Sequence, residues 1–369
     1  MLRDTALLLD KQALIDNLNR IKELAGDRTR ILINLKANAY GHGAVKLGKF
    51  LEDKADRFSV AYANEGLELR RAGIRTPVLV FNPPLYPGKD FFDAKLEPVL
   101  YDTAQAGIYI EAAKQQGLKH YPVHIKVDTG MHRSGLMPEK LNDLLKLLAG
   151  TDALRPVTVY SHLAAAEDPA EDRFTEAQKA LFDRLARQTE DVFPGIIKHL
   201  ANSAALVRFP DIRYDMVRPG LSVYGYTLVQ GDEKNWRPVA SLVSKVTRIR
   251  EIDAGESVGY NRCFKAGKKS RIALIPAGYG DGYFRLFGNG NAYVNIEGER
   301  FPVIGNVSMD MITADVSGSK VKPGDKAVLF GKDPDVYELA RIARTIPYEI
   351  VTAVSRRVPR LWTGERHGF

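Results

Sequence analysis

A closed (β/α)8 barrel followed by a mostly-β second domain is the fold class this sequence predicts, and three observations carry that expectation. The chain has 369 residues, longer than a single hydrophobic core usually serves. Residues 10–230 alternate short apolar, β-branched runs with longer amphipathic stretches, the pattern of repeated β–α units. From residue 231 to 369 the texture changes to β-branched runs broken by Gly and Asp turns.

The strand count turns repeated units into a barrel. Candidate strands lie at 30–35, 58–62, 77–81, 97–101, 123–127, 157–161, 196–200 and 214–217, eight in all. Helical stretches at 103–116, 138–148 and 171–190 separate them, with apolar residues at three-to-four spacing. Gly73, Gly117 and Gly150 stand at helix ends, a common stop signal. In the second domain, strands are expected at 239–252, 271–275, 292–297, 311–316 and 326–329, with a short helix at 336–343. Residues 1–9, through the apolar run 5–9, are a candidate extra strand for it.

Composition narrows the function classes. A content of 45% hydrophobic and 27% charged residues is that of an ordinary globular chain. The net charge of +8 comes from short basic pairs such as Arg70-Arg71, Lys268-Lys269 and Arg356-Arg357, interspersed with acids, so a solvated surface is expected and nucleic-acid binding is not. Nothing approaches the roughly 18 uninterrupted apolar residues of a membrane span, and Ala6-Leu7-Leu8-Leu9, between Asp4 and Asp10, is too short and acidic for a signal peptide. The single cysteine, Cys263, excludes a disulfide framework and an all-cysteine metal site. A cytoplasmic protein without membrane association is the expectation. No metal is expected either: Pro122 separates His120 from His124, which are assigned to the surface or a strand edge, and His42 and His199 are read as structural.

Barrel enzymes build their sites at the C-terminal ends of the strands. Reactive residues collect there: Lys36 after strand one, Asp128 to Arg133 after strand five, His162 after strand six, Asn202-Ser203 after strand seven, and Arg218-Pro219-Gly220 after strand eight. A lysine directly behind Ile31-Leu32-Ile33-Asn34-Leu35 sits where desolvation favours the neutral amine, the form that makes a Schiff base or accepts a proton. A lysine reaching for solvent fits that position equally well. Ser203 and Gly220 occupy the loops that commonly seat phosphate in such barrels, Ser203 as a helix cap and Gly220 as a point of close backbone approach. A capping serine without a ligand is the plainer alternative. Lysine and phosphate seat together imply a phosphorylated carbonyl compound, as substrate or as cofactor.

The run Lys36-Ala37-Asn38-Ala39-Tyr40-Gly41-His42-Gly43 resembles the cofactor-lysine signature of the alanine racemases. The resemblance continues in order through Asn64 to Arg70, Lys126-Val127-Asp128-Thr129-Gly130-Met131-His132-Arg133, Ser161-His162-Leu163, Ala201-Asn202-Ser203 and Arg218-Pro219-Gly220. In the second domain it covers Val258-Gly259-Tyr260, Gly278-Tyr279-Gly280-Asp281-Gly282 and Ser308-Met309-Asp310. It implies a pyridoxal 5'-phosphate enzyme that interconverts L- and D-alanine, supplies D-alanine for peptidoglycan, and works as a homodimer with shared active sites. Lys36 then carries the cofactor as a Schiff base and is the base for D-alanine, and Tyr260, from the partner subunit, is the base for L-alanine.

The same resemblance gives the remaining roles. His162 links the tyrosine to Arg218, which faces the pyridine nitrogen; Tyr40, Ser203, Gly220 and Leu221 contact the phosphate. Arg133 contacts the cofactor phenol oxygen and, with the Met309 backbone, the substrate carboxylate; Tyr279 matches the entrance tyrosine. Lys126 matches the lysine that many members carry carbamylated. Arg356 departs from the family, standing where well-known members have a phosphate-contacting tyrosine that narrows the pocket. The alternatives are a racemase of another or several amino acids, and a decarboxylase of the same architecture. Arg218, in place of an acid, and the position of Cys263 argue against the decarboxylase.

Overall fold

The computed structural model describes residues 3–365, so residues 1, 2 and 366–369 of the ranges expected above lie outside the description. The chain forms two compact units. One comprises Asp16–Ala39 and Ala44–Trp236; the other takes the chain up to Ile15, the short segment Tyr40–Gly43 and the chain from Arg237 onward.

The first unit is a parallel barrel with helices between its strands. Arg30–Asn34, Arg57–Tyr62, Val78–Asn82, Leu96–Leu100, Tyr121–Lys126, Leu154–Tyr160 and Ile197–His199 pair in sequence order, and Met216–Val217 pairs with the first of them. The seam between the seventh and eighth strands carries backbone bonds from Asp215 N to Lys198 O (3.1 Å) and from Arg218 N to Ala201 O (3.0 Å), which brings the ring nearly to closure. Parallel strands covered on both faces read as continuous apolar runs. Val78, Leu79 and Val80, for example, are all buried.

The helices follow from their caps and periodicity. Asp102 caps Thr103–Gln115 by accepting from the N–H groups of Ala104 and Gln105. Leu141–Ala149 buries Leu141, Leu144, Leu145 and Leu148, one face at helical spacing. The helix expected at 138–148 is split: Pro138–Lys140 is a separate tight turn ahead of it. Inside the barrel, Leu32, Leu79, Val99, Tyr160 and Met216 pack as an apolar cluster. His124, Thr158 and His199 are also fully buried, which corrects the assignment of His124 to the surface or a strand edge. His120, by contrast, is exposed.

The second unit is built on a nine-stranded sheet in the order Arg248–Ile252, Ser270–Ile275, Ile312–Asp315, Glu299–Ile304, Tyr293–Ile296, Lys326–Phe330, Ala240–Lys245, Ala6–Leu9, Arg360–Trp362. Ala6–Leu9 is buried throughout, antiparallel to Ala240–Lys245 and parallel to Arg360–Trp362. The run read as one strand at 239–252 is two, because the chain changes partners: Val246 N bonds Asp325 O, whereas Thr247 N bonds Leu274 O. Tyr40–Gly43 is tied into this unit by Arg360, whose Nε and Nη2 donate to Gly41 O at 2.9 and 2.7 Å. Among the described residues no helix is long and apolar enough to cross a membrane.

Candidate active site

The site begins where barrel strand one ends. The buried run from Ile31 to Leu35 delivers Lys36, and the next four residues wind left-handed, with φ of 52° at Ala37, 55° at Asn38, 54° at Ala39 and 52° at Tyr40. Ala39 N still bonds Leu35 O at 2.8 Å, so this is a helical turn of the opposite hand. Left-handed winding costs an L-residue roughly 1–2 kcal/mol, so the surroundings must hold it. Glu65 does so directly: Oε1 accepts from Ala37 N at 2.7 Å, while Oε2 accepts from Ala61 N (2.7 Å) and Tyr62 N (3.1 Å). Asn38 Oδ1 accepts from Ala44 N at 2.9 Å. Beyond the turn, Gly41 has φ +84°, and a Cβ there would stand 2.0 Å from Val351 O.

Three further cations, Arg133, Lys126 and Arg218, gather about this lysine. Burial, with the charge of Arg133 added, holds the Lys36 amine below its ordinary value, opposed by Glu65. Its Nζ lies 5.9 Å from the centre of the Phe81 ring. Burial brings the Lys126 amine down to about 8, reinforced by Arg133, Arg218 and Lys36 and opposed by Asp128. Lys126 Nζ donates to Ser134 Oγ. Asp128 shapes the loop that presents Arg133 by accepting from Gly130 N (2.9 Å) and His132 N (3.2 Å). Among the described residues Arg133 makes no hydrogen bond, and its side chain is exposed.

Arg218 is buried and directed by four acceptors. Nη1 donates to His199 Nδ1 at 2.9 Å; Nη2 donates to Ser161 O at 2.7 Å, Leu200 O at 3.0 Å and, more weakly, His162 Nδ1 at 3.4 Å. Burial lowers its guanidinium to about 10, so it remains charged at neutral pH. Burial and the charges of Arg218, Arg133, Lys126 and Lys36 hold His162 well below its ordinary value, so its ring is neutral. Because arginine only donates, His162 Nδ1 is an acceptor and its proton sits on Nε2.

The loops after strands seven and eight meet at Ser203, whose Oγ accepts from Gly220 N at 2.9 Å and Ser222 N at 3.4 Å. The Ser222 hydroxyl also hydrogen-bonds this oxygen at 3.0 Å. The cap of the helix Ser203–Arg208 is Asn202, through Ala205 N at 2.9 Å, and not Ser203 as expected from the sequence. Leu221 opens the next turn and is buried.

The other expected residues belong to the second unit. Tyr40 is buried with its ring 5.6 Å from that of Tyr348, and burial together with Tyr348 pushes its hydroxyl above the usual range. Tyr260 follows Gly259 (φ +74°), with its carbonyl held by Asn306 Nδ2 at 2.9 Å and 68% of the residue exposed. The Tyr279 and Met309 loops are pinned together, Tyr279 N to Ser308 O at 3.0 Å and Gly280 N to Met309 O at 2.9 Å. Arg357 braces them: Nε donates to the buried Asp281 and Nη2 to Asp310, each at 2.8 Å. Arg356 is its exposed neighbour.

The structure thus brings together Lys36, Lys126, Arg133, His162 and Arg218 in one unit and Tyr260, Tyr279 and Met309 in the other. Sequence reasoning missed Glu65, although it lies in a run that had been singled out, and the partners behind Arg218.

Comparison with known proteins follows the same division. Residues 9–228 match the family described as alanine racemase, N-terminal domain, and residues 239–362 match alanine racemase, C-terminal domain. An alanine racemase of Methanococcus maripaludis is 36% identical over 369 residues, covering 96% of this chain and 97% of that protein. The structure of an alanine racemase from Clostridium difficile superposes with a TM-score of 0.91 at 33% identity, covering 98% of this chain and 96% of that one. An alanine racemase structure from Bartonella henselae, with covalently bound pyridoxal phosphate, gives a TM-score of 0.85 at 28% identity, covering 97% and 99% of the two chains.

Proposed function

This chain belongs to the alanine racemase family, and from that membership we propose that it interconverts L- and D-alanine with pyridoxal 5'-phosphate attached at Lys36. The observation that carries the reading is the cationic cluster at the strand ends, in which the Lys36 amine, held below its ordinary value by burial, stands with Arg133, Lys126 and Arg218. Such a cluster fits a phosphorylated, phenolic cofactor and a carboxylate substrate. Within residues 10–230, Lys36, Tyr40, Ser203, Gly220 and Leu221 would hold the cofactor at its aldehyde and phosphate, with Arg133 and Arg218 toward the ring. When bound, pyridoxal phosphate supplies the electron sink that makes the Cα proton of alanine removable.

The chain's own residues then move the proton. Lys36 Nζ takes it from D-alanine and Tyr260 Oη returns one to the opposite face; the roles reverse for L-alanine. An unperturbed phenol titrates near 10, so Tyr260 needs a donor to stabilise its phenolate, and the Nε2–H of His162 is suited to that task. Arg133 and the Met309 N–H orient the carboxylate. Arg218 donates without giving up its proton, which limits how fully the sink is charged and suppresses side reactions. A carbamate on Lys126 would replace a cation beside Arg133 with an anion and fix that side chain.

The assembly proposed is a homodimer in which the 231–369 unit supplies Tyr260 to the neighbouring barrel. The 68% exposure of Tyr260 and the 53% exposure of Met309 support it, since both are working residues that the single chain leaves open. A second reading, racemisation of a wider set of amino acids, rests on the exposed Arg356: an arginine there either pairs with phosphate or swings away and opens the site that a tyrosine would narrow. Incubation of protein reconstituted with pyridoxal phosphate with each alanine enantiomer, followed by chiral chromatography, tests the proposal. Approach to an equal mixture from both sides is expected, and no conversion overturns it.

A further inference from the structure

We propose that Glu97 is a positioning residue for Arg218, acting through His124, Thr158 and His199; its catalytic consequence rests on the reading of Arg218 given above. These side chains form an unbroken buried path across the barrel. Arg218 Nη1 lies 2.9 Å from His199 Nδ1, His199 Nε2 lies 2.9 Å from Thr158 Oγ1, Thr158 Oγ1 lies 2.8 Å from His124 Nδ1, and His124 Nε2 lies 2.8 Å from Glu97 Oε2. Arg57 closes the far end by pairing with the same carboxylate oxygen.

The two ends decide the direction of every bond between them. Guanidinium only donates, and an ionised carboxylate only accepts. Starting from Arg218, His199 Nδ1 must accept, so His199 carries its proton on Nε2 and gives it to Thr158. The threonine hydroxyl passes its own proton toward His124 Nδ1, and His124 donates from Nε2 to Glu97. Starting from Glu97 gives the same assignment. A reversed chain would set N–H against N–H at Arg218 and lone pair against carboxylate at Glu97. Burial alone would raise the Glu97 carboxyl, yet the His124 hydrogen bond and the charges of Arg57 and Arg70 hold it below its ordinary range, which keeps this end ionised.

Ring orientation is not left to the hydrogen bonds. His199 stacks on Tyr160 with centroids 4.7 Å apart and planes 11° apart, and Arg218 lies over the same tyrosine at 5.1 Å. With the ring clamped, its tautomer is what remains to be set, and that tautomer decides whether Arg218 meets a lone pair or an opposing N–H.

The test uses full-length holoenzyme labelled with ¹⁵N-histidine. Two-bond ¹H–¹⁵N spectra should show His199 and His124 protonated on Nε2. Thr158→Val, which keeps the shape but removes the hydroxyl, should release the His199 tautomer and lower kcat about tenfold in both directions with KM for alanine little changed. Thr158→Ser should restore both. Glu97→Gln, whose amide can turn either way, should disturb His124 first and kcat by a smaller factor. If Thr158→Val fails to fold, Glu97→Gln carries the comparison. An Nδ1–H tautomer of His199 in the wild type, or unchanged spectra and kcat in both variants, overturns the proposal. Absence of alanine conversion by the wild type overturns the racemase reading instead, and the His199 signals still decide the relay.

Discussion

The Glu65 carboxylate accepts the backbone N–H of Ala37 at 2.7 Å, one residue past Lys36, and its other oxygen accepts from Ala61 and Tyr62. One side chain therefore ties the left-handed turn after barrel strand one to the start of the helix after strand two, and its charge supports the lysine amine. Glu65→Ala should cost about 2 kcal/mol in urea unfolding, the scale of backbone donors losing an acceptor. In the cofactor-free variant, pH-dependent labelling of Lys36 should shift to lower pH, because a group that raises its amine is gone. Unchanged labelling would remove Glu65 from the site.

Solvent deuterium separates the two proposed bases. Tyr260→Phe should depress exchange of the α-proton of L-alanine more than that of D-alanine, by about 100-fold or more for loss of a positioned acid–base group. Lys36→Ala should abolish covalent attachment of the cofactor. Equal, small effects of Tyr260→Phe on both enantiomers would sink the two-base assignment.

Mixed dimers test the sharing of residues between subunits. Inactive Lys36→Ala and Tyr260→Phe proteins, unfolded together and refolded, should regain activity, since some dimers then hold one site with both bases intact. No recovery from a mixture shown to contain heterodimers would place both bases on one chain.

Lys126 gives a pH dependence with a definite sign. With its amine at about 8 in place of the ordinary 10.5, the neutral form at pH 8 is roughly a hundredfold more abundant than for an exposed lysine. Carbon dioxide reacts with the neutral amine, so carbamate occupancy should rise with bicarbonate and as pH rises through about 8. Native mass spectrometry should show one added CO2 per chain, absent in Lys126→Met. In the unmodified protein, the penalty for burying the ammonium is fully present below about pH 8 and is relieved between 8 and 10.5, so stability relative to Lys126→Met should climb over that window.

Gly41→Ala tests the backbone beyond the turn. Its φ of +84° and the 2.0 Å approach of a Cβ to Val351 O leave a methyl group no room without a main-chain shift. A loss of about 2–4 kcal/mol is expected, from strain and overpacking together. A variant as stable as the wild type would show that Tyr40–Gly43 adapts easily.

Most barrel strands were legible because each is an apolar run buried on both faces, and the strand ends pointed to Lys36, Arg133, His162 and Arg218. The second unit was read less completely. Glu299–Ile304 escaped because Glu299, Arg300 and Pro302 contradict a strand pattern, and Arg360–Trp362 is too short to show periodicity. His124 was misplaced because Pro122 and His120 beside it suggested an edge. The path behind Arg218 could not be read at all: its neighbours are 27, 34 and 41 residues apart in the chain, and no local pattern encodes which buried donor meets which acceptor.

The polar path through the barrel also bears on how this sequence can change over time. Replacing Glu97, His124, Thr158 or His199 alone strands a buried partner, at roughly 1–3 kcal/mol for each unsatisfied group. Replacing all four with apolar residues of similar volume leaves stability nearly unchanged only if Arg57 changes with them and Arg218 gains another acceptor, since each guanidinium otherwise loses a partner. The route between those two sequences crosses a valley of unstable single and double mutants, so the four positions are expected to drift as a block or not at all. Homologues should carry either the complete set or a wholly different filling, and a lone surviving member should be rare.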